Sequence, residues 1–220
     1  MKIPLHLTLD ARRTGTTLTV VMLLLIACHV LAMQANFNES LGLKASLGFE
    51  YWQIAIFDLD EEESFGTWFS AVNLLFAALL FYCQAGLVGL DGNPMRYWWY
   101  VLAAGFALMS VDEVVGLHEL VNTVFDDSIW AGLSIGIVIT TGLCYLPFLW
   151  RYRWRTSVLF VLAAILFTGG AVGVEQMSGG EVNSLGYNML TGLEEGMEMS
   201  GVILAIYTVL DLMGSSESLD

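Results

Sequence analysis

The sequence predicts an all-α polytopic membrane protein: a bundle of six transmembrane helices with both termini cytoplasmic. Three observations carry this expectation. The 220 residues are 56% hydrophobic and 14% charged, with a mean hydropathy of +0.67, against roughly 45–50% and ~25% in an ordinary soluble domain. Six apolar runs each reach the ~20 residues needed to cross a hydrocarbon layer about 30 Å thick. Of the eight basic residues, all but Lys44 fall at run ends that share one side of the membrane.

The first run, about 16–33, follows Lys2, Arg12 and Arg13. It ends in "HVLAMQA", a small-residue pattern also seen at signal-peptide cleavage sites. The run is expected to remain as a span. Lipid offers backbone polar groups no partner, so a run of this length reads as a helix; a barrel would show ~10-residue alternating strands. An outer loop, 34–64, holds Lys44 and the acidic "DLDEEE". Spans two and three, about 65–88 and 97–121, flank Arg96, while spans four and five, about 129–150 and 156–176, flank Arg151, Arg153 and Arg155. Span six covers about 185–213. The basic residues then place loops 34–64, 122–128 and 177–184 outside, in the manner of positive-inside proteins. The short connections leave one domain, 1–220, without an internal repeat. Cys28, Cys83 and Cys144 lie in three different spans without metal-type spacing and read as small buried hydrophobes.

Net charge is −14, which excludes a nucleic-acid partner, because phosphate binding needs a basic stripe. The acids are unevenly placed. Apart from Asp10, Asp91, Asp211, Glu217 and Asp220, every carboxylate lies in an outer loop or in the outer half of a span on this topology.

"MSVDEVVGLHEL", residues 109–120, puts Asp112, Glu113, His118 and Glu119 in the outer part of span three. Span five brings Glu175 to the same level, span six brings Glu194, Glu195 and Glu198, and span one brings His29. An ionised carboxylate in hydrocarbon costs at least a few kcal/mol and normally faces the bundle interior. So many acids at one depth repel one another, and protons or a cation must supply the missing positive charge. On helical phase Glu194, Glu195 and Glu198 share one face of span six, which Tyr187 and Thr191 extend, and Asp112 and Glu119 share a stripe at i,i+7. The favoured metal ligands are therefore Asp112, His118, Glu119, Glu175, Glu195 and Glu198. Glu113 and Glu194 are the candidate general bases. The bland alternative is a set of protonated acids hydrogen-bonded between helices. His29 is read as a hydrogen-bonding residue rather than a ligand, and Asp60–Glu63 as a solvated acidic cap at a helix start. Gly169, Gly170 and Gly173 would permit close helix approach near Glu175.

Carboxylates with imidazole suit a divalent metal ion, with manganese, iron or zinc preferred to calcium. Copper would use the thioethers of Met177, Met189, Met197 and Met199, which at helical spacing read instead as packing. Di-iron bundles pair Glu and His on facing helices, but their Glu-x-x-His spacing is missing here.

From Phe57 onward the chain resembles an uncharacterised family of bacterial polytopic integral membrane proteins. The resemblance rests on "FDLDEEESFGTWFS", "MSVDEVVGLHE", "GGAVGVEQM" and "GLEEGMEMSGVILAIY", in that order. It implies a multi-pass protein of the bacterial inner membrane with one shared site, and it implies no activity. Members usually carry Pro where this chain has Gly66.

Three functions follow as expectations. The first is a metal-dependent membrane enzyme, a hydrolase or oxidase acting on a lipid or small amphiphile from an outward-facing site. The second is a cation- or proton-coupled transporter, which would more naturally show inverted repeats and broken helices. The third is an accessory subunit of a larger membrane complex, or a homo-oligomer, with "YWWY" at residues 97–100 as a docking face; the same cluster reads more simply as an interfacial aromatic belt.

Overall fold

The computed structural model describes residues 8–37, 54–90, 92–117, 127–174 and 184–217. Among these every long element is helical, and six helices are long and apolar enough to cross a membrane. They are α1 (Ala11–Phe37), α2 (Phe65–Gly89), α3 (Arg96–Val115), α4 (Asp127–Leu149), α5 (Trp154–Thr168) and α6 (Leu185–Glu217). A single 3-10 turn, Ala55–Phe57, precedes α2, and α5 continues as a π-helical stretch, Gly169–Val174.

α1 starts earlier than its apolar run. Asp10 explains this: its Oδ1 accepts the Arg13 N–H at 2.7 Å and so caps the helix. Met22, His29 and Met33 are buried while Leu23, Leu24 and Leu31 are more than half exposed, so one narrow stripe faces protein and the rest faces outward. α2 begins where Ser64 caps it, accepting the Thr67 N–H at 3.2 Å. Leu59 packs over Gly66, its Cδ2 occupying the place a Cβ would take, so a larger residue here would need the Leu59 side chain to shift. α2 and α3 form an antiparallel hairpin, pinned partway along by a Ser110 Oγ–H donated to the Ala71 carbonyl at 2.8 Å.

α3 is shorter than its apolar run predicts. Gly116 takes a left-handed conformation, φ 63°, and its N–H closes on the Asp112 carbonyl at 2.8 Å. This glycine C-cap ends the helix at Val115. The single helix expected to run on to Val121 is thus interrupted at Gly116; Glu119, and with it the i,i+7 stripe from Asp112, lies outside the described residues.

α6 is the central element, packing on α1, α2 and α5. Small residues allow its close approaches. Gly192 and Gly196 face Ile26 of α1, with the Ile26 Cδ1 2.9 Å from where a Gly196 Cβ would stand. Gly201 lies against the backbone of α5, where a Cβ would come within 2.7 Å of both the Ala163 oxygen and the Phe167 nitrogen. This is the small-residue packing expected where lipid supplies no hydrophobic drive between helices.

Two apolar clusters result. Met22, Leu59, Phe69, Met199 and Ile203 join α1, α2 and α6 at one level. The larger cluster gathers Phe81, Trp99, Phe148, Ile206 and Val209. Trp99, fully buried, meets the rings of Phe81, Phe148, Tyr152 and Phe160, and its indole N–H donates to the Tyr152 hydroxyl at 2.8 Å. Burial pushes the Tyr152 hydroxyl pKa up. The "YWWY" cluster is thus split: Tyr97 and Tyr100 are exposed, and Trp99 is core rather than belt or docking face. The cysteines likewise differ from expectation, since Cys28, Cys83 and Cys144 are all exposed on the outer helix surfaces.

Arg12, Arg13, Arg96, Arg151, Arg153 and Arg155 gather at one end of the bundle, where Arg155 reaches Asp211 at 3.2 Å. The opposite end collects the acids.

Candidate functional site at the acidic end of the bundle

The acidic end is built from the second half of α1, residues 54–64, the end of α3, the π-helical stretch after α5, and the start of α6. His29 fastens the first of these to the others. Its ring is fully buried, with Nδ1 accepting the Leu59 N–H at 3.1 Å and Nε2 3.2 Å from the Asn188 carbonyl. A backbone donor on Nδ1 places the ring proton on Nε2, which then donates to Asn188. Asp58 Oδ1 lies 3.3 Å from the same Nδ1 and accepts the Asp60 N–H at 3.1 Å. One imidazole therefore ties α1 to α6 and to the "FDLD" segment. Both of its nitrogens are engaged by these hydrogen bonds.

That segment folds back over the start of α6. The Tyr187 hydroxyl donates to Asp60 Oδ2 at 2.7 Å. Thr67 Oγ1 donates to the Glu61 carbonyl at 3.1 Å. Glu62 reaches across to α3, its carboxylate filling the space over Gly116 that a Cβ would need. Asp60 and Glu62 are consequently more than the solvated cap that the sequence suggested: they contact α6 and α3. All four residues from Asp60 to Glu63 remain exposed.

Glu195 is the focus of the charge. It is partly buried and lies within electrostatic reach of Glu198, Glu113, Glu194 and Asp60. Of the α3 acids it is Glu113 that comes this close. The π-helical stretch closes the other side of α6: a Cβ on Gly170 would stand 2.7 Å from the Glu194 carbonyl oxygen and 2.8 Å from the Glu198 Cγ. Gly169 similarly receives the Met197 methyl, whereas Gly173 faces open space and contributes no close approach. Met199 is buried in the apolar cluster beneath the site, and Met189 is exposed, so both serve packing or surface roles.

Three of the expected ligands, His118, Glu119 and Glu175, lie outside the described residues, as does Met177. Among the described residues, no group of three or more His, Cys, Asp and Glu side chains is disposed to hold a metal ion.

Sequence reasoning missed the tie between Asp60 and Tyr187 and the anchoring role of His29. The signal for the first was present in the Tyr187 stripe, which points at whatever covers the start of α6. The second depends on a backbone amide, which no side-chain pattern encodes.

No curated protein and no solved structure matches the chain. Residues 11–212, which reach from the start of the first span to within a turn of the end of the sixth, match the family described as a domain of unknown function, DUF8692, and the chain belongs to that uncharacterised family.

Proposed function

We propose that this chain binds a divalent metal ion at the acidic end of its bundle and uses it for chemistry on a lipid or small amphiphile at the outer face of the membrane. The observation that supports the reading is Glu195, which lies on one face of α6 with Glu194 and Glu198 and within electrostatic reach of Glu113 of α3 and Asp60 before α2. Carboxylates of like charge in a low-dielectric site need a countercharge, and a divalent ion supplies it with directional bonds. Glu195 and Glu198 are the proposed central ligands, with Asp112, His118, Glu119 and Glu175 completing the set and Glu113 or Glu194 as general base. Carboxylates together with the imidazole of His118 favour manganese, iron or zinc over calcium. The separation of arginines from acids between the two ends supports an orientation with both termini cytoplasmic and the site outward.

One observation favours a second reading, a cation- or proton-coupled carrier. The π-helical stretch Gly169–Val174 abuts Glu194 and Glu198, and interrupted helices beside an ion site are a device of carriers.

A metal that binds only the folded state raises its stability. Thermal melting of the purified protein should therefore rise with added manganese, iron or zinc and fall with a chelator. A Glu195→Ala, Glu198→Ala double variant should show neither response. Identical melting of wild type with and without each metal would remove the metal from the proposal and leave the carrier reading with protons as its cation.

A further inference from the structure

Two buried carboxamides add a requirement that acids alone do not make. Asn188 is 2% exposed and its Nδ2 has no hydrogen-bond partner among the described residues; the same holds for the Nδ2 of Asn73, 3% exposed. Buried donors are almost always paired, with protein, water or ligand. The Asn188 backbone carbonyl is engaged by His29 Nε2 at 3.2 Å, which fixes the position of this first turn of α6 against α1.

Helical phase shows where it points. At ~100° per residue, Asn188 and Glu195 project within about 20° of each other on α6. Met199, Val202 and Ile206 continue that stripe and are all buried, so it faces the bundle interior. On α2, Asn73 lies among buried Ser70, Leu74 and Ala77. The acidic end thus holds, on one interior-facing stripe, an unsatisfied N–H donor and a carboxylate.

We propose that the site takes a neutral, hydroxyl-bearing headgroup of the sugar or polyol class, with Asn188 as a specificity-determining donor and Glu195 as the acceptor; this rests on the reading that the substrate is a lipid or amphiphile. The chemistry selects the class. Asn188 and Glu195 stand about 10 Å apart along α6, so separate hydroxyls of one headgroup accept from the Asn188 Nδ2 and donate to the Glu195 carboxylate, which satisfies both without adding charge. A phosphate brings negative charge onto the acids, and a quaternary ammonium offers no acceptor to the carboxamide. The depth agrees, since Asn188 is in the first turn of α6, at the level of headgroups rather than of acyl chains.

The test uses the full chain in nanodiscs with three octyl amphiphiles below micellar concentration: octyl glucoside, octylphosphocholine and octyltrimethylammonium. Each is titrated with chelator and with manganese, and thermal melting is followed. Octyl glucoside should raise the melting temperature saturably while the other two do not. Asn188→Leu should abolish that shift without lowering the melting temperature of the ligand-free protein, because it removes a donor that has no partner. Glu195→Gln should weaken the shift at least tenfold in midpoint concentration. Equal responses to the three headgroups, a preference for the ammonium, or an unchanged glucoside response in both variants would overturn the inference. Metal content measured on the same samples separates the two proposals: selective glucoside binding without metal leaves this inference standing, and metal without glucoside selectivity removes this inference alone.

Discussion

Gly116 shows how one residue sets the geometry of the acidic end. Its φ of 63° is the region that only glycine enters cheaply, and the Glu62 carboxylate occupies the space beside it. Gly116→Ala should cost about 1–2 kcal/mol for the left-handed backbone, and more for displacing Glu62. Adding Glu62→Ala should recover the second part only, so melting curves of the two single variants and the double will separate the terms. Glu195→Gln makes a complementary case. Exchanging a carboxyl for a carboxamide of nearly the same shape should abolish the rise in melting temperature produced by added metal while changing the melting temperature of the metal-free protein far less. Both residues lie in motifs that the sequence displays. What the sequence did not display was that glycine, read as part of a helix, ends it.

At the scale of elements, the α6 interfaces differ in what they can yield. A Cβ at Gly196 meets the tip of the Ile26 side chain, which can move; a Cβ at Gly201 meets the backbone of α5, which cannot. Gly201→Ala should therefore cost about 1–3 kcal/mol, the usual range for overpacking, and Gly196→Ala clearly less. Melting temperatures measured in one detergent will order them. Spans two, four and six matched their helices closely because apolar length alone defines them. Spans three and five departed at their ends on the acidic side, where Gly116 and Gly169–Val174 alter the backbone. Glycine at these places was visible, but choosing between a cap, a π-turn and plain close packing depends on partners from other helices. The same holds for Trp99: a tryptophan near a helix end reads as interfacial until Phe81, Phe148 and Phe160 close around it.

For the whole molecule, six apolar helices follow from composition and run length, and so does the separation of charge between the two ends. Orientation is a prediction that labelling checks. In a background with Cys28, Cys83 and Cys144 replaced, a cysteine at position 178 should react with a membrane-impermeant thiol reagent added outside, and one at position 216 only after the membrane is breached; the reverse would turn the acidic end to the cytoplasm. The site was legible only in part. Glu195, Glu198 and Glu113 could be placed at one end by counting along spans, while Asp60, Tyr187 and His29 are brought in by a segment whose course no periodicity announces. The central claim is that this end holds a divalent metal, and elemental analysis of protein purified without chelator tests it most directly. The account predicts stoichiometric manganese, iron or zinc in wild type and its loss in Glu195→Ala; wild type free of stoichiometric metal, or a variant that retains it in full, would contradict it.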